Sequence, residues 1–219
     1  MKKILVLVEG QTEERFVKDL LSISFESRNI SLIPKIVDTK IVKGGPNFKG
    51  GLRSYGAAKK DLLKLLHDTN TIAVTTMFDF YGLPADFPGV KDNTDNSLCY
   101  EKVEAIENAF ALDIENPKFI PYIQLHEFEG LLFTVPEIVS NTLNGNKKDD
   151  VQAILDDFNN PEEINDGYET APSKRLLKIF PNYNKVVFGS MIANRIGLEQ
   201  IKNSCPHFND WVEKLLILE

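Results

Sequence analysis

The sequence predicts an α/β fold, built on a mainly parallel central sheet with helices on both of its faces. Two observations predict this class. Short apolar runs alternate with segments whose apolar residues recur at helical spacing, and the first of these runs is apolar at almost every position. Such a run is typical of a strand that is covered on both sides, as strands in parallel sheets are.

A strand, a turn and a helix form the first predicted unit. Residues 3–8 read KILVLV and predict the central strand, which Gly10 ends. Thr12 is suited to cap the following helix, because its hydroxyl can accept a hydrogen bond from a free backbone N–H group. Apolar residues between Phe16 and Leu21 then recur at helical spacing.

Two more strands are predicted before residue 80. Residues 30–37 read ISLIPKIV, and Pro34 within them indicates an edge strand or a bulge. Residues 71–78 are β-branched and apolar, which is typical of a third strand. The segment 52–66 predicts the helix between these strands, and the loop that precedes it is rich in lysine and glycine.

The next segments continue the alternation. Residues 81–96 are rich in proline, glycine and aspartate, and an irregular stretch of this length in a compact domain is often functional. Residues 98–111 predict a helix, and residues 118–125 predict a fourth strand that leads directly into the segment HEFEGLLF. In parallel sheets, active sites gather at the carboxyl ends of the strands.

From residue 136 the pattern changes to short helical segments. They are predicted at 149–158, 172–179, 184–194, 197–203 and 207–217. We therefore predict an α/β core over residues 1–135 and a helical extension over residues 136–219. The two parts are expected to pack together as a single compact unit.

Composition excludes several classes of protein. The 219 residues carry a net charge of −7, which argues against a protein that coats nucleic acid non-specifically. No stretch approaches the roughly 20 apolar residues that span a bilayer, so we expect a cytoplasmic protein without a membrane partner. The distant Cys99 and Cys205 indicate neither a disulfide framework nor a zinc site.

Acidic residues stand where three of the predicted strands end. Glu9 follows the first strand, Asp79 follows the third, and Glu127 and Glu129 follow the fourth. Carboxylate oxygens are ligands that Mg²⁺ and Mn²⁺ prefer, and such an ion also binds phosphate oxygens. The sequence therefore predicts a divalent-metal site at the carboxyl edge of the sheet. Since the two glutamates straddle Phe128, we expect only one of them to reach it.

Structural interpretations stand beside these functional ones. Glu13 lies in the first turn of a helix, where the helix dipole favours an acid without any catalytic role. Asp79 is also placed to cap a turn before Gly82. His126 is interpreted as a structural hydrogen-bonding residue, because no second histidine or cysteine stands at metal-binding spacing.

Two segments resemble the TOPRIM superfamily, which includes topoisomerases, bacterial primases and nucleases of the overcoming-lysogenization-defect group. These segments are VLVEGQTEERFV and TTMFDFYG. The segments HEFEGLLF, APSKRL and IGLEQIKNSCPHFNDWVEKL resemble an uncharacterised bacterial family of TOPRIM-like proteins, which are often encoded beside an ATPase in probable phage-defence operons. The resemblance implies a TOPRIM, Rossmann-like arrangement of the core.

The resemblance also implies roles for individual residues. Glu9 matches the TOPRIM glutamate, a metal ligand or general acid/base, and Glu13 matches an additional acidic position of the nuclease branch. Asp79 matches the first aspartate of the DxD motif, whereas the second falls on Tyr81, which is neutral near pH 7. Lys174 in APSKRL is the candidate for the basic residue that stabilises the transition-state phosphate.

The departure at Tyr81 leaves the number of metal ions open. Glu127 or Glu129 can supply the missing charge, and otherwise the site is expected to bind one ion or to bind it weakly. We therefore expect a Mg²⁺- or Mn²⁺-dependent nuclease that acts on nucleic acid, with an ATPase as a possible partner. The alternative is a non-catalytic regulatory or interaction subunit.

Basic residues are the candidates for contacts with a nucleic-acid backbone. They fall in the lysine- and glycine-rich segment and after residue 173, and are Lys43, Lys49, Arg53 and Arg175. Such contacts weaken as salt concentration rises, because binding releases counterions from the phosphates. A dinucleotide-binding Rossmann site is disfavoured, because VEGQTEE has one glycine where that fingerprint needs several.

Overall fold

A parallel sheet forms the centre of the protein, in agreement with the predicted α/β class. The computed structural model describes residues 1–37, 52–91, 98–165 and 167–218. In these ranges the sheet has the strand order β2-β1-β3-β4, and a further short strand, β5, also pairs with β3. The strands are β1 (Lys2–Val8), β2 (Ile30–Ile36), β3 (Thr71–Asp79), β4 (Phe119–Ile120) and β5 (Ile123–Gln124).

The register of the sheet brings the carboxyl ends of its strands together. β1 pairs in parallel with β2 and β3, so that Val8 lies opposite Ile36 on one side and Met77 on the other. Glu9 therefore leaves the sheet beside the last residues of β3, where Asp79 stands. Asp79 itself pairs with Gln124 of β5. Side chains that are distant in sequence thus meet at one edge.

Helices cover both faces of the sheet and make up most of the chain after residue 135. Those that pack around the first three strands are α1 (Gln11–Phe16), α2 (Ser22–Glu26), α3 (Tyr55–Leu66) and α4 (Cys99–Ile114), with a π-helical turn at Val17–Leu21 joining the first two. The later ones are α5 (Pro136–Thr142), α6 (Lys148–Leu155), α7 (Pro172–Ile179), α8 (Ser190–Ile196), α9 (Leu198–Ser204) and α10 (Pro206–Leu216).

Short turns of other helical types occur where the site is built. They are 3₁₀ turns at Phe80–Gly82 and Phe128–Thr134, further 3₁₀ turns at Pro161–Glu163 and Tyr168–Thr170, and a π-helical turn at Lys185–Gly189. The first follows β3 directly and the second begins four residues after β5 ends, so both continue from the carboxyl edge of the sheet. The π-helical turn leads into α8 without a break.

The core lies on both faces of β1, because successive side chains of a strand point to opposite sides. Ile4, Val6 and Val8 belong to a core that includes α1 and the late helices. Leu5 and Leu7 belong to a second core, formed with α3 and α4. Burial of each such side chain contributes about 1.5–3 kcal/mol, so the two cores together fix the position of β1.

Three segments differ from the elements that the sequence predicts. The strand predicted over 118–125 is divided into β4 and β5, because Pro121 has no N–H group to donate between them. α3 starts at Tyr55, where the Ser54 side chain accepts a hydrogen bond from Ala57 N. Helix α5 was not predicted at all. The predicted lysine- and glycine-rich loop lies outside the described residues, and so does the end of the 81–96 stretch.

The late helices share a core with the sheet. Trp211 of α10 is buried, and its indole Nε1 donates a hydrogen bond to Thr75 Oγ1 of β3 at 2.9 Å. Tyr122 stacks on the Trp211 ring with a centroid distance of 4.2 Å. A division into two parts at residue 135 stays a prediction. Among the described residues, no helix is long and apolar enough to cross a bilayer.

Candidate active site

The Glu9 carboxylate lies at the tip of β1 and is only 8% exposed. Its Oε1 atom accepts a hydrogen bond from the backbone N–H of Asp79 at 2.8 Å. Gly82 closes the other side, because a Cβ atom at this position would stand 2.9 Å from Glu9 Oε2. The absence of a side chain at Gly82 thus lets the carboxylate fold back over the end of β3.

Asp79 connects β3 to the turn that follows β5. Its Oδ1 atom accepts a hydrogen bond from Phe128 N at 2.8 Å, which holds the start of the 3₁₀ turn. Its Oδ2 atom points the other way and lies 3.1 Å from the ammonium of Lys185. The Asp79 side chain thus makes no capping hydrogen bond in the turn before Gly82, where the sequence suggested a cap, and holds the turn at Phe128 instead. One of its oxygens is left to face a cation.

Glu13 and Glu129 bring two more carboxylates to the same point. Glu13 comes from α1 and is 4% exposed, and Glu129 comes from the turn Phe128–Thr134 and is 1% exposed. One oxygen of each lies 3.2 Å from Lys185 Nζ. The Tyr183 hydroxyl donates to Glu129 Oε1 at 3.4 Å, while Glu129 Oε2 is buried without an aligned hydrogen-bond donor.

Lys185 stands at the centre of these carboxylates. It is the first residue of the π-helical turn, and its ammonium contacts the acids of Glu13, Asp79 and Glu129 at 3.1–3.2 Å. About a third of its side chain, 34%, stays exposed, so the group is reachable from solvent. We call Glu9, Glu13, Asp79, Glu129 and Lys185 the carboxylate–lysine cluster.

Burial is the main influence on the acids of the cluster. It raises the pKa of Glu9 well above its usual value, and the nearby charges of Asp79 and Glu13 raise it further. Burial also raises the pKa of Glu129, and it raises the pKa of Asp79 to about 7 against the opposing effect of Lys185. Because the cluster holds four carboxylates and one ammonium, it attracts protons or a further cation.

The carboxylates fit a hard divalent cation by their chemistry. Their oxygens are the donors that Mg²⁺ and Mn²⁺ bind, and Glu129 Oε2 is buried and lacks an aligned donor. The ammonium of Lys185 lies among them, however. Within the described ranges, no three acidic, histidine or cysteine side chains are arranged as a ready metal site. An ion would bind beside this ammonium or take its place.

A family model matches most of the chain. It is described as "Domain of unknown function (DUF4276)", and it matches residues 8–216. The chain belongs to this family. The match includes Glu9 and every other member of the cluster, so the whole DUF4276 site lies inside it. A comparison with curated proteins gives no match.

Solved structures similar to this DUF4276 chain include C-terminal regions of OLD proteins. The region from Burkholderia pseudomallei is 16% identical with a TM-score of 0.47, and the match covers 99% of this chain and 97% of that one. The region from Xanthomonas campestris pv. campestris is 17% identical with a TM-score of 0.42, covering 98% and 95%. Similarity at this level carries no argument about function.

Glu127 lies next to the carboxylate–lysine cluster but does not face the ammonium of Lys185. Its Oε2 atom accepts a hydrogen bond from Ser173 N at 2.9 Å, in the first turn of α7. Of the two glutamates that straddle Phe128, the structure thus brings Glu129 to Lys185 and holds Glu127 at a helix end. A role of either as a metal ligand stays a prediction.

Tyr81 and His126 pack on each other beside the cluster. Tyr81 N donates to the His126 carbonyl at 3.2 Å, and their ring centroids are 5.6 Å apart. His126 has a positive φ of 57°, and its Nδ1 lies 3.4 Å from Asn165 Nδ2. Burial lowers the pKa of His126 to about 4, so the ring is neutral and structural near pH 7.

Three of the predicted basic residues lie within the described ranges, on or next to helices. Lys174 and Arg175 are on α7, where Arg175 Nε donates to the Thr170 carbonyl at 2.6 Å. Arg53 is exposed just before α3. Lys43 and Lys49 lie outside the described residues, so their contacts with nucleic acid stay a prediction.

Sequence reasoning missed Lys185. It stands in the segment NYNKVVFG, where a single lysine beside apolar residues carries no motif. The resemblance pointed to Lys174 as the basic residue, but the ammonium that touches the carboxylates comes from Lys185. No spacing rule links this residue to Asp79, because their contact joins positions 106 residues apart.

Proposed function

We propose that this protein is a TOPRIM-like nuclease that uses Mg²⁺ or Mn²⁺ to cleave phosphodiester bonds in nucleic acid. One observation carries the proposal: four carboxylates converge at the carboxyl edge of a parallel sheet, and three of them contact a single ammonium. The negative charge exceeds what Lys185 neutralises. This surplus is expected where a divalent ion and a phosphate are to be bound together.

The residues of the cluster divide the work in the proposed reaction. Glu9, Glu13, Asp79 and Glu129 hold the ion, which when bound polarises the phosphate and lowers the pKa of water. Glu9 is the ligand of the ion that can also act as the general acid or base, because its carboxylate stands at the tip of β1 beside Asp79. Asp79 orients Glu9 through the hydrogen bond between its own N–H group and Glu9 Oε1.

Lys185 is the proposed basic residue of the reaction, in place of Lys174. Its ammonium lies among the carboxylates, and because its side chain is about a third exposed, it can leave one acid to contact a phosphate oxygen. A fixed positive charge aimed at the phosphate stabilises the charge that develops during cleavage. Lys174 remains a candidate for binding the substrate further along α7.

The test is cleavage of supercoiled plasmid and of single-stranded DNA and RNA by the purified protein with Mg²⁺ or Mn²⁺. We expect Glu9→Gln, Asp79→Asn and Lys185→Met each to reduce the rate by about 100-fold or more. Glu14→Gln is the matched control, because Glu14 lies in the same turn as Glu13 but pairs with Lys18. Cleavage that survives in the first two variants would contradict the proposal.

A second function is favoured by the ammonium itself. Because Lys185 already neutralises part of the charge, and Tyr81 adds none, the cluster can persist without a metal. The protein would then be a non-catalytic TOPRIM-like subunit that binds an ATPase, with a role in phage defence. Calorimetry that detects no Mn²⁺ binding, together with a stable complex between this protein and a purified ATPase encoded beside it, would support this function over the nuclease.

A further inference from the structure

An aromatic cavity lies directly beside the carboxylate–lysine cluster. It has a volume of about 230 Å³, and its walls include the side chains of Phe180, Tyr183 and Phe188. Tyr183 connects the cavity to the cluster, because its ring lines the cavity and its hydroxyl donates a hydrogen bond to Glu129 Oε1. Whatever enters the cavity is therefore one side chain away from the proposed reaction centre.

The walls of the cavity have the chemistry of a nucleobase site. Aromatic rings offer flat surfaces on which a base of any sequence can stack. Exposed Asn144 and Asn182 also line the cavity, and an amide can both donate to and accept from the edge of a base. The volume falls below the roughly 300 Å³ at which drug-sized pockets begin, so the cavity suits one ring system.

A basic groove continues from this cavity along α7. Its volume is about 460 Å³, and its lining includes Lys147, Lys174, Arg175 and Lys178. Lys147 and Ile179 line the cavity as well as the groove, so the two spaces meet at these residues. The groove holds four basic side chains against the acids of Asp150 and Glu169, which favours a polyanion.

We propose that the substrate is an unpaired nucleic-acid strand, with one base in the aromatic cavity and the following phosphates in the basic groove. This inference rests on the proposed nuclease function, which places the reacting phosphate at the cluster. The three sites lie in order: cluster, cavity and groove, joined by Tyr183 and then by Lys147. Their order matches successive parts of one strand.

The strand must be unpaired at the cavity. Within a duplex, the faces of a base are covered by its neighbours and its edge is paired, so no face is open to Phe180 or Phe188. A paired base reaches such a pocket only after it is turned out of the stack, which costs free energy. The cavity thus selects single strands, frayed ends or unpaired regions over intact duplex.

Fluorescence anisotropy tests this without cleavage, in EDTA and with labelled oligonucleotides of one sequence as single strand and as duplex. We expect the single strand to bind about tenfold more tightly at equal salt. DNA and RNA versions show which sugar is accepted. Equal affinity for single strand and duplex would overturn the inference. Polyglutamate that displaced the labelled strand as well as unlabelled single strand does would also overturn it.

Variants of the cavity test the stacking directly. Phe188→Leu keeps an apolar side chain without an aromatic face, and we expect it to weaken single-strand binding about fivefold or more, whereas Phe188→Trp restores it. Gly145→Ala places a Cβ atom 2.6 Å from Phe180 Cε1, which forces the ring to move, and it should weaken the same binding. Unchanged affinity in both Phe188→Leu and Gly145→Ala would overturn the base site.

Exposed lysines give a test that does not depend on core packing. The logarithm of the binding constant falls linearly with the logarithm of the salt concentration. Lys147→Ala and Lys178→Ala are each expected to reduce the slope of this line by about one. Lys214→Ala on α10 is the matched control, because Lys214 is exposed and far along the chain from the groove. If Lys214→Ala has the same effect, the groove has no special role.

The outcome for this inference is separate from that for the nuclease. If Asp79→Asn abolishes cleavage while Phe188→Leu leaves strand preference unchanged, the proposed function stands and the unpaired-strand inference fails. If single strands bind as expected but no variant of the cluster affects cleavage, the unpaired-strand inference stands and the proposed reaction centre fails.

Discussion

Glu162 and the carboxylate–lysine cluster show two ways of burying acids in one protein. Glu162 is 1% exposed, and its two oxygens accept hydrogen bonds from His207 N and Phe208 N, each at 2.9 Å. These are the first N–H groups of α10, which a helix leaves without internal partners. The acid and the helix end satisfy each other.

The cluster differs in the balance between acids and donors. Burial raises the pKa of Glu162 and also of Glu9 and Glu129 in the cluster, so neither burial nor the pKa distinguishes the two kinds of site. Glu162 has a donor for each oxygen, whereas three carboxylates of the cluster share one ammonium and Glu129 Oε2 lacks an aligned donor. The comparison teaches that an excess of buried acids over donors marks the site, and a matched acid marks a structural contact.

Removal of the central charge should have the largest effect on stability. Lys185→Met leaves Glu13, Asp79 and Glu129 without their ammonium, and we expect the free energy of unfolding to fall by about 3 kcal/mol. Mn²⁺ should then raise the melting temperature more than in the wild type, because no ammonium competes with it.

Lys18→Met is the control for this variant. Lys18 pairs with Glu14 on an exposed helix face, where we expect a loss of at most about 0.5 kcal/mol. Urea denaturation gives the free energies and thermal scans give the Mn²⁺ effect. A Mn²⁺ effect no larger than in the wild type would show that Lys185 does not occupy a cation position.

A fall in pH should lower the stability of the protein through His126, which is buried in its uncharged form beside the cluster. Burial lowers the pKa of His126 from 6.5 to about 4, so between these pH values the unfolded chain binds more protons than the folded one. The contribution of His126 to stability is therefore complete above pH 6.5 and lost as pH falls towards 4. By pH 4.5 we expect a loss of roughly 3 kcal/mol.

His126→Asn isolates this loss, since asparagine also tolerates the positive φ of 57°. The variant should lose about 3 kcal/mol less than the wild type between pH 7 and pH 4.5 in urea denaturation. Glu9, Asp79 and Glu129, whose raised pKa values act in the opposite direction, contribute equally to both proteins. Parallel losses in the two proteins would mean that the ring is protonated in the folded state.

Glu162→Gln should separate the two kinds of acid. The amide offers one acceptor oxygen to the two N–H groups of α10, so we expect a loss of about 1–2 kcal/mol. Cleavage and the Mn²⁺ effect on melting should stay as in the wild type. A loss of the Mn²⁺ effect comparable to that of Asp79→Asn would mean that Glu162 is linked to the cluster.

Two glycines provide the smallest and most local test. Gly82→Ala places a Cβ atom 2.9 Å from Glu9 Oε2, so the carboxylate must move; we expect weaker Mn²⁺ binding by calorimetry and a change in unfolding free energy within about 1 kcal/mol. Gly56→Ala in α3 meets no atom within 4 Å and should stabilise the protein by about 0.5–1 kcal/mol, with Mn²⁺ binding unchanged. Unaltered Mn²⁺ binding in Gly82→Ala would remove Glu9 from the proposed metal site.

The sequence was sufficient to bring Glu9 and Asp79 together. Their strands are apolar runs, and the carboxyl ends of neighbouring parallel strands must share an edge. The sequence also predicts that only one of Glu127 and Glu129 reaches the cluster, because Phe128 between them turns into the core, but it does not say which one. These features depend on periodicity, which a single sequence carries.

Other features depend on contacts that periodicity does not carry. Lys185 reaches Asp79 only through the packing of the late helices, and nothing in its neighbourhood specifies that partner. The aromatic cavity combines Phe180 and Phe188 with residues of the α5–α6 connection, which the sequence presents merely as apolar positions. Pro121 marks the division of β4 from β5 in the sequence itself, because proline has no N–H group to donate to a neighbouring strand.

The late position of Lys185 has a consequence for how the protein is made. A ribosome releases Glu9, Glu13, Asp79 and Glu129 well before it releases the lysine that lies among them. Until that segment docks, the four acids repel one another and β1 lacks the helices that cover one of its faces. The carboxylate–lysine cluster and the core on one face of β1 both need this late segment, so a chain that ended before Lys185 would lack the proposed site.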